Sequence, residues 1–293
     1  MIFEFLNYIK TEKRYSPHTY TAYKKDLQQY SLYLSETYNI DDTTKINFQI
    51  IRSWLTHLAE NKISNRSIAR KLASVKSYYK YLHHKQIIPL NPASKLKMPK
   101  VKKSLPIFAS ESSMVTILDK IDYETNFSGM RDQLLLELLY GTGIRLSECI
   151  ELKERNVDFQ AGTIKVKGKG NKERIVPMHA HLKDAIQKYI NEKKLVFSNN
   201  PSDELLVTND GKKMYPMFVY RVVKKYLSAV PNLEKKSPHV LRHTFATHLL
   251  NRGAGLNAIK ELLGHNSLAA TQVYTHNSPE KLKAIYKMAH PKS

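Results

Sequence analysis

Residues 237–274 read SPHVLRHTFATHLLNRGAGLNAIKELLGHNSLAATQVY, and their punctuation sets the fold around them. Ser237-Pro238 supplies an N-cap followed by a proline at the first helical position. The helix they open is expected to run to about Arg252 and to stop at Gly253, a suitable C-terminal glycine. A second short helix is expected from about Leu256 to Leu263, ended by Gly264, with His265 next and Tyr274 nine residues further on. His239 and Arg242 stand three apart, so one helical face carries both near its N-terminal end. A helix N-terminus, a cation and an imidazole together make a place for an anion.

The same stretch invites a metal reading, and its neighbours argue against it. His239 and His243 have the i, i+4 spacing that can bind zinc. The zinc-protease pattern needs Glu directly after the first His, and Val240 stands there. Arg242 beside the ligands would oppose a metal ion, and no third ligand is suggested nearby. The expectation is a site without metal or cofactor. Cys149 is the single cysteine, so no intrachain disulfide can form and a reducing compartment is expected.

Charge describes the partner. The 293 residues hold 47 Lys and Arg against 26 Asp and Glu, a net of +21. Residues 1–100 carry 17 basic and 7 acidic groups, and the remainder carry 30 and 19. An excess spread so evenly points to a polyanion contacted along the whole molecule rather than by a tail. The N-terminal MIFEFLNYIKTEKRYS has Glu4 inside its apolar part and no small-residue cleavage site. No apolar run approaches the ~18 residues of a membrane span. The expectation is a cytoplasmic protein of two domains without membrane insertion.

The first domain reads as a helical bundle. Ile2 to Lys13 is a short amphipathic start, and Ser16-Pro17 caps a helix bearing Tyr20, Tyr23, Leu27, Tyr30 and Leu34. Asn47 can cap a third helix and Ser64 a fourth, the latter with Ile68, Leu72, Val75, Tyr79 and Leu82 on its apolar face. On that fourth helix Arg66, Arg70, Lys71, Lys76 and Lys80 stand beside the core stripe as candidate phosphate contacts. From Asn91 to Pro106 the pattern lapses into NPASKLKMPKVKKSLP, whose prolines and lysines read as an extended basic linker unable to build a packed element. Lys100, Lys102 and Lys103 are its candidate phosphate contacts. The bundle is assigned to 1–94, the linker to 95–106 and the second domain to 107–293.

The second domain opens with a Ser110-capped helix over about Glu111–Ile121, then a helix over about Met130–Leu139 that is apolar on most sides and so central. It ends at Gly141-Thr142-Gly143, just before Arg145. Thr163–Val166 and Arg174–Val176 read as strands of a hairpin whose tip, Gly168-Lys169-Gly170-Asn171-Lys172, lifts Lys169 and Lys172 away from the sheet. A phosphate loop of the GxxxxGK[ST] kind is absent, which argues against nucleotide binding. A third strand is expected at Leu205–Thr208, and helices at about His181–Lys193 and Tyr215–Ala229. The fold class is mainly α with a small antiparallel β-sheet: a helical bundle followed by an α+β domain.

These pieces resemble one family. Arg145 in GTGIRLSE, Lys169 in GKGNKER, His239 and Arg242 in HVLRH, His265 in LGH and Tyr274 in TQVYTH match, in order, the motifs of the tyrosine site-specific recombinases. The chain is most similar to the bacterial XerC/XerD branch, judged by length, RHTFATHLL and the ending YTHNSPEKLKAIYKMAHP. Gly255 stands where that branch often has an acidic or amide residue, and glycine is itself an acceptable cap. The N-terminal domain matches in helix pattern more than in residues.

The resemblance implies a SAM-like core-binding domain and a catalytic domain that cuts and rejoins DNA through a 3′-phosphotyrosyl intermediate. Tyr274 would be the nucleophile, Arg145 and Arg242 would stabilise the phosphorane, and Lys169 would be the general acid for the leaving 5′ oxygen. His239 would handle the tyrosine proton, and His265 would bond a non-bridging oxygen. Glu148 would orient Arg145 or cap a helix, and Lys172 and Arg174 would contact phosphate. Neither metal nor ATP is needed, because the covalent intermediate conserves the bond energy. The implied partners are double-stranded DNA recombination sites. A homo- or hetero-tetramer would hold two such sites, the hetero form with a second Xer-type recombinase. The tail after Tyr274 either docks on a neighbouring subunit or packs on its own domain. The role expected is Xer-type resolution of chromosome dimers at cell division. A mobile-element integrase, a relaxing topoisomerase and a non-catalytic DNA-binding protein are its rivals; the layout and tail disfavour the topoisomerase, and six intact reactive positions disfavour the last.

Overall fold

Phe127–Thr142 (α6) decides the architecture of the larger part of the molecule, because it has almost no polar face to turn to solvent. Leu134, Leu135, Leu136, Leu138, Leu139 and Tyr140 are all buried. A helix buried on nearly all sides has to be packed by several neighbours, and α6 lies against both Ala180–Val196 (α8) and Pro238–Asn251 (α10). The computed structural model describes residues 1–101, 107–168, 172–199, 202–230, 233–264 and 279–291. Lys102, Lys103, Lys169, His265 and Tyr274 lie outside the described residues.

The chain divides into two compact units, Met1–Ser104 and Leu105–Ser293. The first holds Ile2–Thr11 (α1), Pro17–Tyr38 (α2), Phe48–Glu60 (α3) and Asn65–His84 (α4). The caps expected from sequence form: the side chains of Ser16, Asn47 and Ser64 accept the backbone N–H groups of Thr19, Ile50 and Ser67. Leu27, Leu34, Ile51, Trp54, Leu72, Val75 and Leu82 build the core. Two of its buried hydroxyls are matched inside it, with those of Tyr30 and Tyr79 3.0 Å apart and Tyr79 donating to the Thr43 carbonyl at 3.1 Å. One expectation is corrected here. Ala93 and Leu96 of the supposed extended linker are buried in this core, and Asn91 closes a turn by accepting the Ala93 N–H.

The second unit begins with Glu111–Val115 (α5), capped by Ser110, which widens into a π-helical turn over Thr116–Lys120. After α6 come Leu146–Ile150 (α7) and a three-stranded antiparallel sheet in the order β1-β2-β3: Val157–Asp158 (β1), Thr163–Lys167 (β2) and Glu173–Pro177 (β3). The hairpin register pairs Ile164 with Val176 and Lys167 with Glu173. Leu205–Thr208 is not the third strand. Its Val207 makes an isolated bridge with Lys213, where the turn ending at Gly211 folds the chain back on itself, and Glu204 just before it bridges to Lys153. The third strand is β1.

Pro216–Leu227 (α9), α10, Leu256–Leu263 (α11) and Pro279–Ala289 (α12) complete the unit. In this chain α12 packs on its own unit: Leu282, Tyr286 and Ala289 are buried, and the Tyr286 hydroxyl donates to the Gly141 carbonyl at 2.7 Å. Among the described residues no helix is long and apolar enough to cross a membrane.

Candidate active site

The site is built where three helix ends meet a hairpin strand. α6 stops at Gly143, whose φ of +61° is the left-handed conformation of a helix C-terminus. A side chain there would also strike Phe245, since a Cβ would lie 2.3 Å from its ring. The chain then enters α7 with Arg145 at its N-cap. α11 stops in the same manner at Gly264, with φ +64°. Both stops leave main-chain carbonyls pointing outward, and arginines from distant elements take them.

Arg242 projects from α10 and is 7% exposed. It donates to the Gly143 carbonyl and to the Leu263 carbonyl, each at 2.6 Å. Arg145 donates to the Gly264 carbonyl at 3.1 Å and to Glu148 Oε1 at 2.7 Å. The two guanidiniums come from positions 97 residues apart in the sequence and feel each other's charge. Burial first, then repulsion from Arg145, brings the Arg242 guanidinium down to about 10, with Glu148 pulling the other way. It is therefore still a cation at neutral pH. Side-by-side cations of this kind are a receptor for a doubly charged or charge-accumulating oxyanion group.

Glu148 is the counter-charge that makes the cluster stable. It is 4% exposed and accepts four hydrogen bonds: Arg145 N at 2.8 Å, Arg145 Nη1 at 2.7 Å, and Arg174 Nη1 and Nη2 at 3.0 and 2.8 Å. Burial alone would raise its carboxyl, but the Arg174 hydrogen bonds and the Arg145 backbone N–H outweigh that and hold it at about 2.

The residues named from sequence separate into four groups. Arg145 and Arg242 are brought together. His239 sits exposed on the first turn of α10, next to the cluster in sequence but with its ring open to solvent. Lys169, His265 and Tyr274 fall outside the described residues, although the ends that flank them are placed: Gly168 donates to the Lys172 carbonyl at 2.7 Å across the hairpin, and Gly264 touches Arg174. The supposed phosphate contacts divide. Arg66, Lys100 and Lys172 are exposed and Lys76 is half-buried, and Lys102 and Lys103 are outside the described residues.

Three of those cations also have partners inside the protein. Arg70 and Lys71 both bond the fully buried Asp26, at 2.5 and 3.5 Å. Arg174 is not a free surface cation at all: it forks onto Glu148 and its Nε donates to the Leu262 carbonyl at 2.8 Å. Sequence reading missed these assignments because a cation's partner is a tertiary fact. A trace of the Glu148 role was present, since a glutamate three residues after a helix-opening position is the acceptor half of a capping box. Also unforeseen was His248, which lies between the Tyr140 hydroxyl (3.0 Å) and the Ala109 carbonyl (2.9 Å) and ties α10 to α6. Among the described residues no cluster of His, Cys, Asp and Glu could hold a metal.

Comparison with known proteins agrees with this geometry. The phage integrase family pattern matches residues 108–281, and the pattern of its N-terminal SAM-like domain matches residues 2–86. The chain is 39% identical to the tyrosine recombinase XerC of Chlorobaculum parvum, covering 98% of this chain and 93% of that one. It is 37% identical to the tyrosine recombinase XerC of Anoxybacillus flavithermus, covering 99% and 97%. In fold it is similar to the XerH site-specific recombinase bound to its difH substrate in a pre-cleavage complex, with a TM-score of 0.70 at 23% identity over 90% of this chain and 78% of that one. The Tn1549 transposon integrase with circular intermediate DNA superposes with a TM-score of 0.72 at 18% identity, over 98% and 99%. The likeness runs from end to end through both units, and on that ground the chain belongs to the phage integrase family, the tyrosine recombinases.

Proposed function

We propose that the chain exchanges DNA strands at a specific site by way of a 3′-phosphotyrosyl intermediate, in the Xer-type role of resolving chromosome dimers at cell division. The observation that carries this reading is the pair of guanidiniums, Arg145 and Arg242, anchored side by side on the carbonyls of Gly143, Leu263 and Gly264. Attack on a phosphodiester builds charge on the two non-bridging oxygens, and guanidinium meets that charge with fixed donors that need no reorganisation. Losing one such donor typically costs on the order of 3–4 kcal/mol of barrier.

In this reading Tyr274 attacks the scissile phosphorus, and the 3′-phosphate becomes esterified to its phenol while the 5′ oxygen leaves. Lys169, from the β2–β3 hairpin, gives the leaving oxygen its proton. His239 takes the phenolic proton and returns it on rejoining, and His265 bonds a non-bridging oxygen. Because the phosphotyrosyl bond conserves the energy of the broken one, religation to a hydroxyl from another duplex requires neither metal nor ATP. Two duplexes must then be held together, which a tetramer of this chain, or of this chain and a second Xer-type recombinase, accomplishes. The net charge of +21 suits duplex DNA as the partner.

The test uses nicked suicide duplexes whose site has been selected by binding from a random-sequence pool. The expected result is a covalent protein–DNA adduct that survives EDTA and disappears in Tyr274→Phe. An adduct undiminished in Tyr274→Phe, or no adduct at all, overturns the reading.

A further inference from the structure

We propose that Arg174 is a positioning residue for strand cleavage: it fixes the Glu148 carboxylate that aims Arg145 and ties it to the main chain just ahead of His265. The inference rests on the strand-exchange reading above and assigns a task to a side chain which that chemistry does not itself use.

Each nitrogen of the Arg174 guanidinium already donates inside the protein: Nη1 and Nη2 to the two oxygens of Glu148, Nε to the Leu262 carbonyl. The side chain is only 13% exposed. Three of its five N–H groups are thus spent on a carboxylate and a helix end. The fork-on-fork geometry removes the rotational freedom of the Glu148 carboxylate. Its remaining lone pairs go to Arg145 N and Nη1. Arg145 is therefore held at one remove by Arg174.

The placement also joins three stretches that carry the reacting groups. Arg174 stands on β3, paired with Val166, next to the Lys167–Glu173 pair that ends the ladder, and Lys169 follows Lys167 by two residues in the sequence. Leu262 lies in the last turn of α11, three residues before His265. Two glycines lean on the pair, with a Cβ at Gly168 falling 3.3 Å from Glu148 Oε1 and one at Gly264 falling 3.2 Å from Arg174 Cδ. Lysine cannot replace this device, because an ammonium is a point charge that cannot span a carboxylate and a carbonyl in one plane. The depressed Glu148 carboxyl, held at about 2, agrees with so close an ion pair.

The experiment measures single-turnover adduct formation on the nicked duplex, normalised to bound protein so that unfolded chain drops out. Wild type, Arg174→Lys, Arg174→Gln, Glu148→Gln and the Glu148→Gln/Arg174→Lys double variant are compared. A displacement of about 1 Å can cost on the order of 100-fold in rate, so Arg174→Lys is expected to slow the step by about 10- to 100-fold with DNA affinity within about threefold of wild type. In the Glu148→Gln background the same substitution is expected to add almost nothing, because the pathway of its effect is already cut.

The pH profile gives an independent readout. The charged groups facing Glu148 are Arg145 from the α6–α7 turn, Arg174 from β3 and Arg242 from α10. With Arg174→Gln the carboxyl loses its strongest partner and rises, so the acid limb of the rate moves to higher pH. A wild-type rate and profile in both Arg174 variants overturns the proposal, as does a loss confined to DNA affinity or one fully additive with Glu148→Gln. The wild-type arm separates the two levels: absence of a Tyr274-dependent adduct there overturns the recombinase chemistry and this proposal together, whereas a normal wild-type adduct with indifferent variants overturns the role of Arg174 alone.

Discussion

Two buried carboxylates, one in each unit, each draw in two cations, and they do different work. Asp26 on α2 takes Ser74 at 2.8 Å, Arg70 and Lys71, all from α4. It fastens one helix to its neighbour, and Arg70 remains half-exposed while it does so. Glu148 takes partners from an interhelical turn and from a strand, and those partners reach on to the ends of α11. The first is a clip between two elements. The second is a hub, where a single carboxylate sets the geometry of several segments at once. The difference shows that burial and charge pairing alone do not mark a functional group; what matters is how many independent elements it forces into register.

The largest expected effect comes from removing the hub. Glu148→Ala leaves Arg145 and Arg174 without their counter-charge beside Arg242, and breaking a buried pair in this way costs about 3–5 kcal/mol. Denaturant unfolding measures that loss, and adduct formation is expected to fall at least about 100-fold. Gly143→Ala attacks the hub from the backbone: the left-handed conformation and the clash with Phe245 together are expected to cost about 2–4 kcal/mol. Its cleavage rate per bound protein should drop as well, because the carbonyl that holds Arg242 moves.

Acidification separates the hub from its surroundings without mutation. The Glu148 carboxyl is depressed in the folded state, to about 2 from an ordinary 4.5. Its contribution to stability is therefore full above pH 4.5 and is lost as pH falls through about 2, an effect on the order of 3 kcal/mol. Unfolding free energies across that window should show this slope in wild type and lack it in Glu148→Gln. The smallest effect is expected from Asp26→Ala. Arg70 can return to water, so the cost is about 1–2 kcal/mol. Melting should register it, while the cleavage rate per bound protein stays unchanged. If Asp26→Ala slowed cleavage as Glu148→Ala does, the distinction between clip and hub would collapse.

Much of the frame was legible because it is local. Ser16, Asn47, Ser64 and Ser110 announced helix starts that their own side chains then cap, and Gly253 and Gly264 announced stops. The hairpin showed in the alternation of Thr163–Val166 and Arg174–Val176 around a glycine-rich tip. The misreadings were equally physical. Leu205–Thr208 had strand composition, yet only Val207 in it makes a bridge, and Leu96 sat in a lysine-rich segment whose burial depends on a pocket made by other helices. Arg70, Lys71 and Arg174 looked like free cations because nothing in their neighbourhood along the chain reveals Asp26, 44 residues from Arg70, or Glu148, 26 residues from Arg174.

The sequence by itself determined which side chains of the family motifs this protein carries, in what order, and where most of its helices start and stop, since capping, periodicity and motif spacing are properties of neighbouring residues. Only the tertiary structure decided which of the many cations have carboxylate or carbonyl partners inside the protein. An arginine's task is set by the acceptor it reaches, and a buried carboxylate or an outward-facing helix carbonyl exists at that point in space only once distant segments have packed.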